Sequence, residues 1–159
     1  GSGAAACDAP VASGGALETD GVGSHSFIVA SEDAVGYTAE RTLAYDVTYN
    51  VCVRYDPDAT HTAGSTVPIK LELCDATEGN VSAASLVVQA EMLHKPGTGA
   101  TAPVRPAGNS NPGNRFRYED DLDGYIFTLK TDGLSSGTWM LRFSVAGDPL
   151  THDVPLRIR

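Results

Sequence analysis

Four carboxylates fall within five residues at Glu119-Asp120-Asp121-Leu122-Asp123, followed by Gly124. Ca²⁺ takes roughly six to eight oxygen ligands, and an acidic turn can supply several of them. The spacing here lacks the distal bidentate glutamate of the helix-loop-helix calcium loop. A solvated turn is therefore the first reading, and Glu119, Asp120, Asp121 and Asp123 stay as a weak candidate calcium set with no other metal expected. The four histidines, His25, His61, His94 and His152, stand singly, with no His-x-His or Cys-x-x-Cys spacing. There is no Gly-x-Ser-x-Gly elbow, and no Gly-rich loop runs into Lys-Ser or Lys-Thr. Those arrangements bind zinc, raise a nucleophile on a strained turn, or cradle phosphate. No catalytic residue, no cofactor and no enzyme activity are expected.

The three cysteines are Cys7, Cys52 and Cys74. Cys52 and Cys74 both occupy the polar phase of an alternating run, so they can face each other across neighbouring strands. A bridge would close a loop of 22 residues, worth about 3 kcal/mol in the chain-entropy model. It would also place the protein in an oxidising compartment, leaving Cys7 without a partner. Three reduced thiols are the alternative. Lys70 raises the possibility of an isopeptide crosslink, which needs a buried lysine beside a carboxyl group of raised pKa. Lys70 shares the polar phase with Glu72, so a surface ion pair is the simpler expectation. Trp139, Tyr118 and Tyr125 could stack sugars on a sheet face. Trp139 is in phase with Leu141 and Phe143, which assigns it to a core first. Asn80-Val81-Ser82 fits a glycosylation sequon, of consequence in a eukaryotic source.

The elements that must position these groups are strands. From Leu43 to Tyr55 every odd position is apolar or aromatic and the even ones are mostly polar, without Gly or Pro. Strict alternation is the mark of extended chain with two distinct faces. At roughly 3.3 Å per residue this run spans about 40 Å, so it is read as one long strand or two end to end. It finishes a small N-terminal unit and starts a larger one. Upstream, residues 24–30 form a strand, and residues 31–37 with Gly36 a turn. Residues 1–23 are Gly/Ala/Ser-rich and are expected as a flexible tail, with a short strand near Val11 or Leu17. Gly1-Ser2-Gly3 reads as a fusion scar, the natural start and its export signal being cut away.

Downstream, strands are expected at 66–74, 84–92, 115–118, 125–129, 139–145 and 154–158. In the second of these Ala84, Leu86, Val88, Ala90 and Met92 would face inward. Residues 94–113 carry four of the nine prolines and are read as a long exposed loop. Pro155 marks an edge or a bulge. With turn signals every 8 to 20 residues and no 3.6-residue period, the profile is all-β. It fits an immunoglobulin-like β-sandwich of about seven strands with an N-terminal β-hairpin extension. The domain expectation is 1–23 tail, 24–49 hairpin remnant and 50–159 sandwich.

Composition narrows the function classes. The 159 residues carry a net charge of −9, which argues against nucleic acid as a partner. No apolar run approaches the roughly 20 residues of a membrane-spanning helix.

Two stretches resemble known families. Residues 63–75, Ala-Gly-Ser-Thr-Val-Pro-Ile-Lys-Leu-Glu-Leu-Cys-Asp, are similar to the Pro-x-Lys-Phe strand of a module at the C-termini of many secreted bacterial proteins (the PxKF type). Asn114-Arg-Phe-Arg-Tyr118, Gly124-Tyr-Ile-Phe-Thr-Leu129 and Gly133-Leu-Ser-Ser-Gly-Thr-Trp139 continue that likeness in order. Leu71 stands where the family has Phe. Gly23-Ser-His-Ser-Phe-Ile-Val-Ala-Ser-Glu-Asp33 resembles the last strands of a hyalin-repeat immunoglobulin-like module. These resemblances imply an immunoglobulin-like fold, a secreted, extracellular or cell-surface setting, and a non-catalytic accessory or structural role as spacer, stabilising cap or contact domain. A carbohydrate-binding module appended to a secreted enzyme is the alternative. The partners to expect are upstream domains of the same polypeptide, a second copy through the N-terminal hairpin, or a polysaccharide.

Overall fold

Period-two patterning leaves each strand with an apolar face that must be covered, and the chain covers it in two separate units. The computed structural model describes residues 4–12 and 14–159. One unit ends at Thr48 and the other begins at Tyr49. The described residues hold twelve strands and one 3-10 turn.

The first unit is a three-stranded antiparallel sheet, β1 (Ala4–Asp8), β2 (Gly23–Asp33) and β3 (Thr38–Val47), in that spatial order. β2 and β3 form a hairpin whose turn is made by Asp33. Its Oδ1 accepts the backbone N–H of Val35 at 3.0 Å and of Tyr37 at 2.9 Å, and Gly36 takes the left-handed conformation at φ 89°. Part of the expected N-terminal tail is thus ordered as a strand. Cys7 pairs with Ser31 and Asp8 with Ala30, because the open edge of β2 offers unpaired backbone groups. No strand forms at Val11 or Leu17. The remainder of the flexibility expectation, residues 1–3 and 13, lies outside the described residues.

The 43–55 run is two strands. β3 stops at Val47 and β4 (Asn50–Val53) starts after Thr48 and Tyr49. From there the second unit adds β5 (Thr60–His61), β6 (Thr66–Cys74), β7 (Val88–Lys95), β8 (Ala100–Ala102), β9 (Arg117–Glu119), β10 (Gly124–Lys130), β11 (Gly137–Val145) and β12 (Thr151–Ile158). Two sheets result, ordered β4-β6-β10-β9 and β5-β12-β11-β7-β8. In immunoglobulin lettering these are A-B-E-D and A′-G-F-C-C′, the Greek-key order of that sandwich. The fold is an all-β immunoglobulin-like sandwich.

Its core is what the alternation predicts. Ile69, Leu71, Leu73, Phe127, Leu129, Leu141 and Phe143 are fully buried. Phe116 links the sheets, its ring 5.2 Å from Phe127 and 5.5 Å from Phe143. Immunoglobulin domains usually place a tryptophan on strand C against a disulfide between the sheets. Here the buried Trp139 is on β11, the F position, and the disulfide joins two strands of one sheet.

Two expectations are corrected in this unit. β7 carries a bulge opposite Arg142/Phe143, so the inward phase shifts. Leu93, 1% exposed, faces the core, and Met92 turns outward. An extra residue in one strand does this, and simple alternation cannot anticipate it. The stretch 94–113 is also no open loop. β7 runs to Lys95 and β8 pairs back on it. Val104 is buried and Pro106 bridges to Leu129. Asn111, 1% exposed, pegs the segment down. Its Nδ2 donates to Arg115 O at 2.9 Å and Ile126 O at 3.0 Å, while its Oδ1 accepts the Thr128 N–H at 2.9 Å. One side chain satisfies three backbone groups, which is how a proline-rich segment is held on a sheet.

Candidate functional site

The acidic hairpin tip between β9 and β10 does not converge. Glu119 is paired with Arg117, and Asp123 Oδ1 accepts the Tyr118 hydroxyl. The Asp123 carbonyl accepts Asn80 Nδ2 at 2.7 Å, and Asp120 and Asp121 are exposed. Asp123 itself is left-handed, at φ 49°. Among the described residues no three His, Cys, Asp or Glu side chains are grouped to hold a metal ion. The Asn80 amide of the sequon is committed to this same turn, with Oδ1 accepting the Ser82 N–H at 2.9 Å.

Cys52 on β4 and Cys74 on β6 are joined, S–S 2.10 Å and Cα–Cα 6.1 Å. The register explains their reach, since Asn50 is opposite Cys74 and Cys52 opposite Glu72, a diagonal across adjacent strands. Cys7 is a free, exposed thiol on β1. Beside the bridge, Glu72 is 5% exposed and its carboxylate takes Arg54, the charge-paired partner that burial requires. This corrects the expected pair with Lys70, since the β4–β6 register brings Arg54 over Glu72. The Arg54 guanidinium is held above its ordinary pKa by that hydrogen bond and charge. Lys70 lies half-buried on β6, opposite Ile126.

Of the aromatics proposed as a sugar platform, Trp139 and Tyr125 belong to the core, and Tyr118 lies half-buried against it. Trp139 is 4% and Tyr125 1% exposed. Trp139 Nε1 donates to Ser135 O at 2.9 Å. Tyr125 donates to Ala83 O at 2.8 Å and stacks edge-on with Tyr118 at 5.5 Å. Inward phase decides this, because rings beneath a sheet are closed to a polysaccharide.

Two polar clusters were not legible in the sequence. On the outward face of the five-stranded sheet, Arg142 Nε and NH2 reach Asp153 Oδ1 and Oδ2 at 3.0 and 3.1 Å. His94 Nε2 is 3.1 Å from the same Oδ2. Burial pushes the Asp153 carboxyl up, but hydrogen bonds and charge from Arg142 and His94 outweigh it and hold the group below the usual aspartate range. At the β11–β12 turn, the wholly buried Asp148 carboxylate accepts Leu150 N–H at 2.9 Å and Tyr49 N–H at 3.1 Å. It also lies 2.8 Å from His152 Nε2. These residues come from three strands in one cluster and from a turn and the chain entry in the other, so spacing carries no sign of them. Each group is spent on a neighbour. Neither cluster offers a nucleophile with a free base, and their work is to fasten strands.

In the first unit, Pro10, Val11, Leu17 and Glu18 lie across the β2–β3 face that carries Phe27 and Tyr45. Tyr45 donates to Glu18 O at 2.9 Å and stacks with His25 at 5.3 Å. A shallow depression of about 500 Å³ remains, lined by Pro10, Val11, Leu17, Phe27 and Tyr45. Phe27 and Tyr45 are half-buried, and Leu43 is 38% exposed. The preceding segment thus covers part of this face of the hairpin. The outer edge of β3 pairs with no described strand.

No family model matches the chain, and no curated protein matches it. Solved structures do resemble it in part. Domains 4 and 5 of the S-layer protein SbsC align at 14% identity over 84% of this chain and 65% of that one, TM-score 0.40. The teleost fish polymeric Ig receptor ectodomain aligns at 15% identity over 91% and 63%, TM-score 0.33. The Protocadherin GammaB4 extracellular domain aligns at 17% identity over 91% and 22%, TM-score 0.33. The chain thus spans less than two thirds of each of these.

Proposed function

We propose that this chain is a non-catalytic immunoglobulin-like accessory module of a larger secreted or cell-surface protein, of the PxKF type and preceded by part of a hyalin-repeat-like module. It acts as a spacer or stabilising cap in series with other domains. The observation that carries this reading is the fastening of β4, the strand by which the chain enters the sandwich. β4 is only four residues long, and the Cys52–Cys74 bridge ties it to β6. Arg54 pairs with Glu72 just beyond it, and the Tyr49 N–H is taken by Asp148 just before it. A module pulled from its neighbour bears the load first on that strand. A covalent staple there suits a load-bearing link, and a disulfide suits an oxidising, extracytoplasmic setting.

Single-molecule pulling from the two chain ends tests this. The oxidised chain is expected to keep the stapled segment shut and the reduced chain to release β4 at lower force and with greater extension. Equal forces and extensions in the two states would remove the load-bearing role. A panel of insoluble and soluble polysaccharides is expected to retain none of the protein, and saturable retention would restore the carbohydrate-binding alternative.

A further inference from the structure

The outer edge of β3 is a ten-residue run, Thr38–Val47, without Pro or Lys and with no bulge, and its charged residues are Glu40, Arg41 and Asp46. Pro, Lys and bulges are devices that keep exposed edges from pairing, and other charged side chains are a further one, so the charges on this edge decide which register a partner strand can take. The Asp33 N–H donates to Tyr37 O at 2.9 Å, and Asp33 and Tyr37 stand next to the pair Glu32–Thr38 on its turn side. Hydrogen-bonded and non-hydrogen-bonded pairs alternate along an antiparallel ladder. Odd-numbered residues of β3 therefore turn their backbone groups to β2. Thr38, Glu40, Thr42, Ala44 and Asp46 present theirs to the open edge.

We propose that this edge pairs with the β3 edge of a second copy of the chain, antiparallel and centred on Thr42, to make a continuous six-stranded sheet. The proposal goes beyond the spacer-or-cap reading and does not depend on the load-bearing role. A two-fold axis normal to the sheet keeps both copies' faces aligned, so the centre must fall on a residue. Centring on Glu40 or Arg41 sets that residue against its own charge. Centring on Leu43 sets Glu40 against Asp46 twice. Like charges directly opposite are destabilising. Centring on Ala44 leaves Thr38, Ala39 and Glu40 outside the overlap. Centring on Thr42 opposes no like charges and pairs Thr42 with itself, a favoured cross-strand pair. It also places Tyr45 against Ala39 and Glu40 against Ala44, large against small. All five outward residues then face outward residues of the partner copy.

The test uses the full chain with Cys7→Ser, since Cys7 is an exposed free thiol. In that background Thr42→Cys is expected to give a covalent dimer under mild oxidation, because a hydrogen-bonded antiparallel pair holds Cα atoms about 5.5 Å apart, within disulfide reach. Glu40→Cys and Ala44→Cys, made singly, are expected to stay monomeric on the same gel, because like residues there lie four positions, roughly 13 Å, apart along the paired strands. Ala44→Pro removes an outward N–H and leaves the β2 ladder intact, so its circular dichroism should be unchanged. It is expected to weaken the dimer seen by sedimentation equilibrium by about tenfold or more. A chain that stays monomeric at high concentration would overturn the proposal. So would a dimer insensitive to Ala44→Pro, or one that crosslinks through position 40 or 44 instead of 42.

Discussion

Single side chains decide most of what holds the sandwich at its entry strand. Changing Cys52 and Cys74 to alanine frees a loop of 22 residues, and the expected loss is about 3 kcal/mol in a urea titration. Tyr55 adds a pH dependence. Its hydroxyl donates to Pro155 O at 2.6 Å, and burial pushes its pKa from 10.0 up to about 12. A phenol whose folded pKa is raised contributes stability that is fully present below the unfolded value and is lost as pH rises through the folded one. Stability should therefore fall between pH 10 and 12, and Tyr55→Phe should flatten that fall. Asp153 acts in the opposite sense. Its lowered pKa makes its contribution present above the ordinary aspartate range and lost as pH drops through the folded value. Asp153→Asn should destabilise at neutral pH, and the difference from the parent should vanish in acid.

At the scale of elements, close approach and buried polar anchors set what the strands tolerate. Gly124 opens β10 where it passes β6, and a Cβ there would meet Leu71 O at 2.6 Å and Glu72 Cγ at 2.9 Å. Gly124→Ala is expected to cost about 1–3 kcal/mol by overpacking, read as a lowered thermal midpoint. Asn111→Ala removes three hydrogen bonds from buried backbone and is expected to cost about 2–4 kcal/mol. Enhanced proteolysis within residues 96–114 should accompany that loss. Gly124 could be noticed in the sequence as a turn residue, but its closeness to Leu71 O is a property of the β10–β6 pairing alone. Asn111 had no signal at all among prolines and glycines, since those residue types mark exposed loops far more often than anchored ones.

Across the whole molecule, every residue of the hydrophobic core cluster belongs to the unit that begins at Tyr49. A chain starting at Tyr49 should keep the cooperative melting transition of the sandwich within a few degrees of the parent by calorimetry. What alternation of residue types could specify, it specified well. The strands 66–74 and 139–145 and the inward phase of Val154, Leu156 and Ile158 follow directly from a period of two, because burying one face of a strand is a local requirement. The turn at Gly36 and the Cys52–Cys74 pairing were legible for the same reason, as each depends on phase or backbone freedom that a few neighbouring residues carry. The bulge that moves Leu93 inward, the pairing of β1 with β2, and the partnership of Glu72 with Arg54 rather than Lys70 were set by which strand lies next to which. So were the His94–Arg142–Asp153 cluster and the burial of Asn111. Those are pairings between residues far apart in the chain, and their energies exist only once the sheets are assembled, so no run of residue types records them.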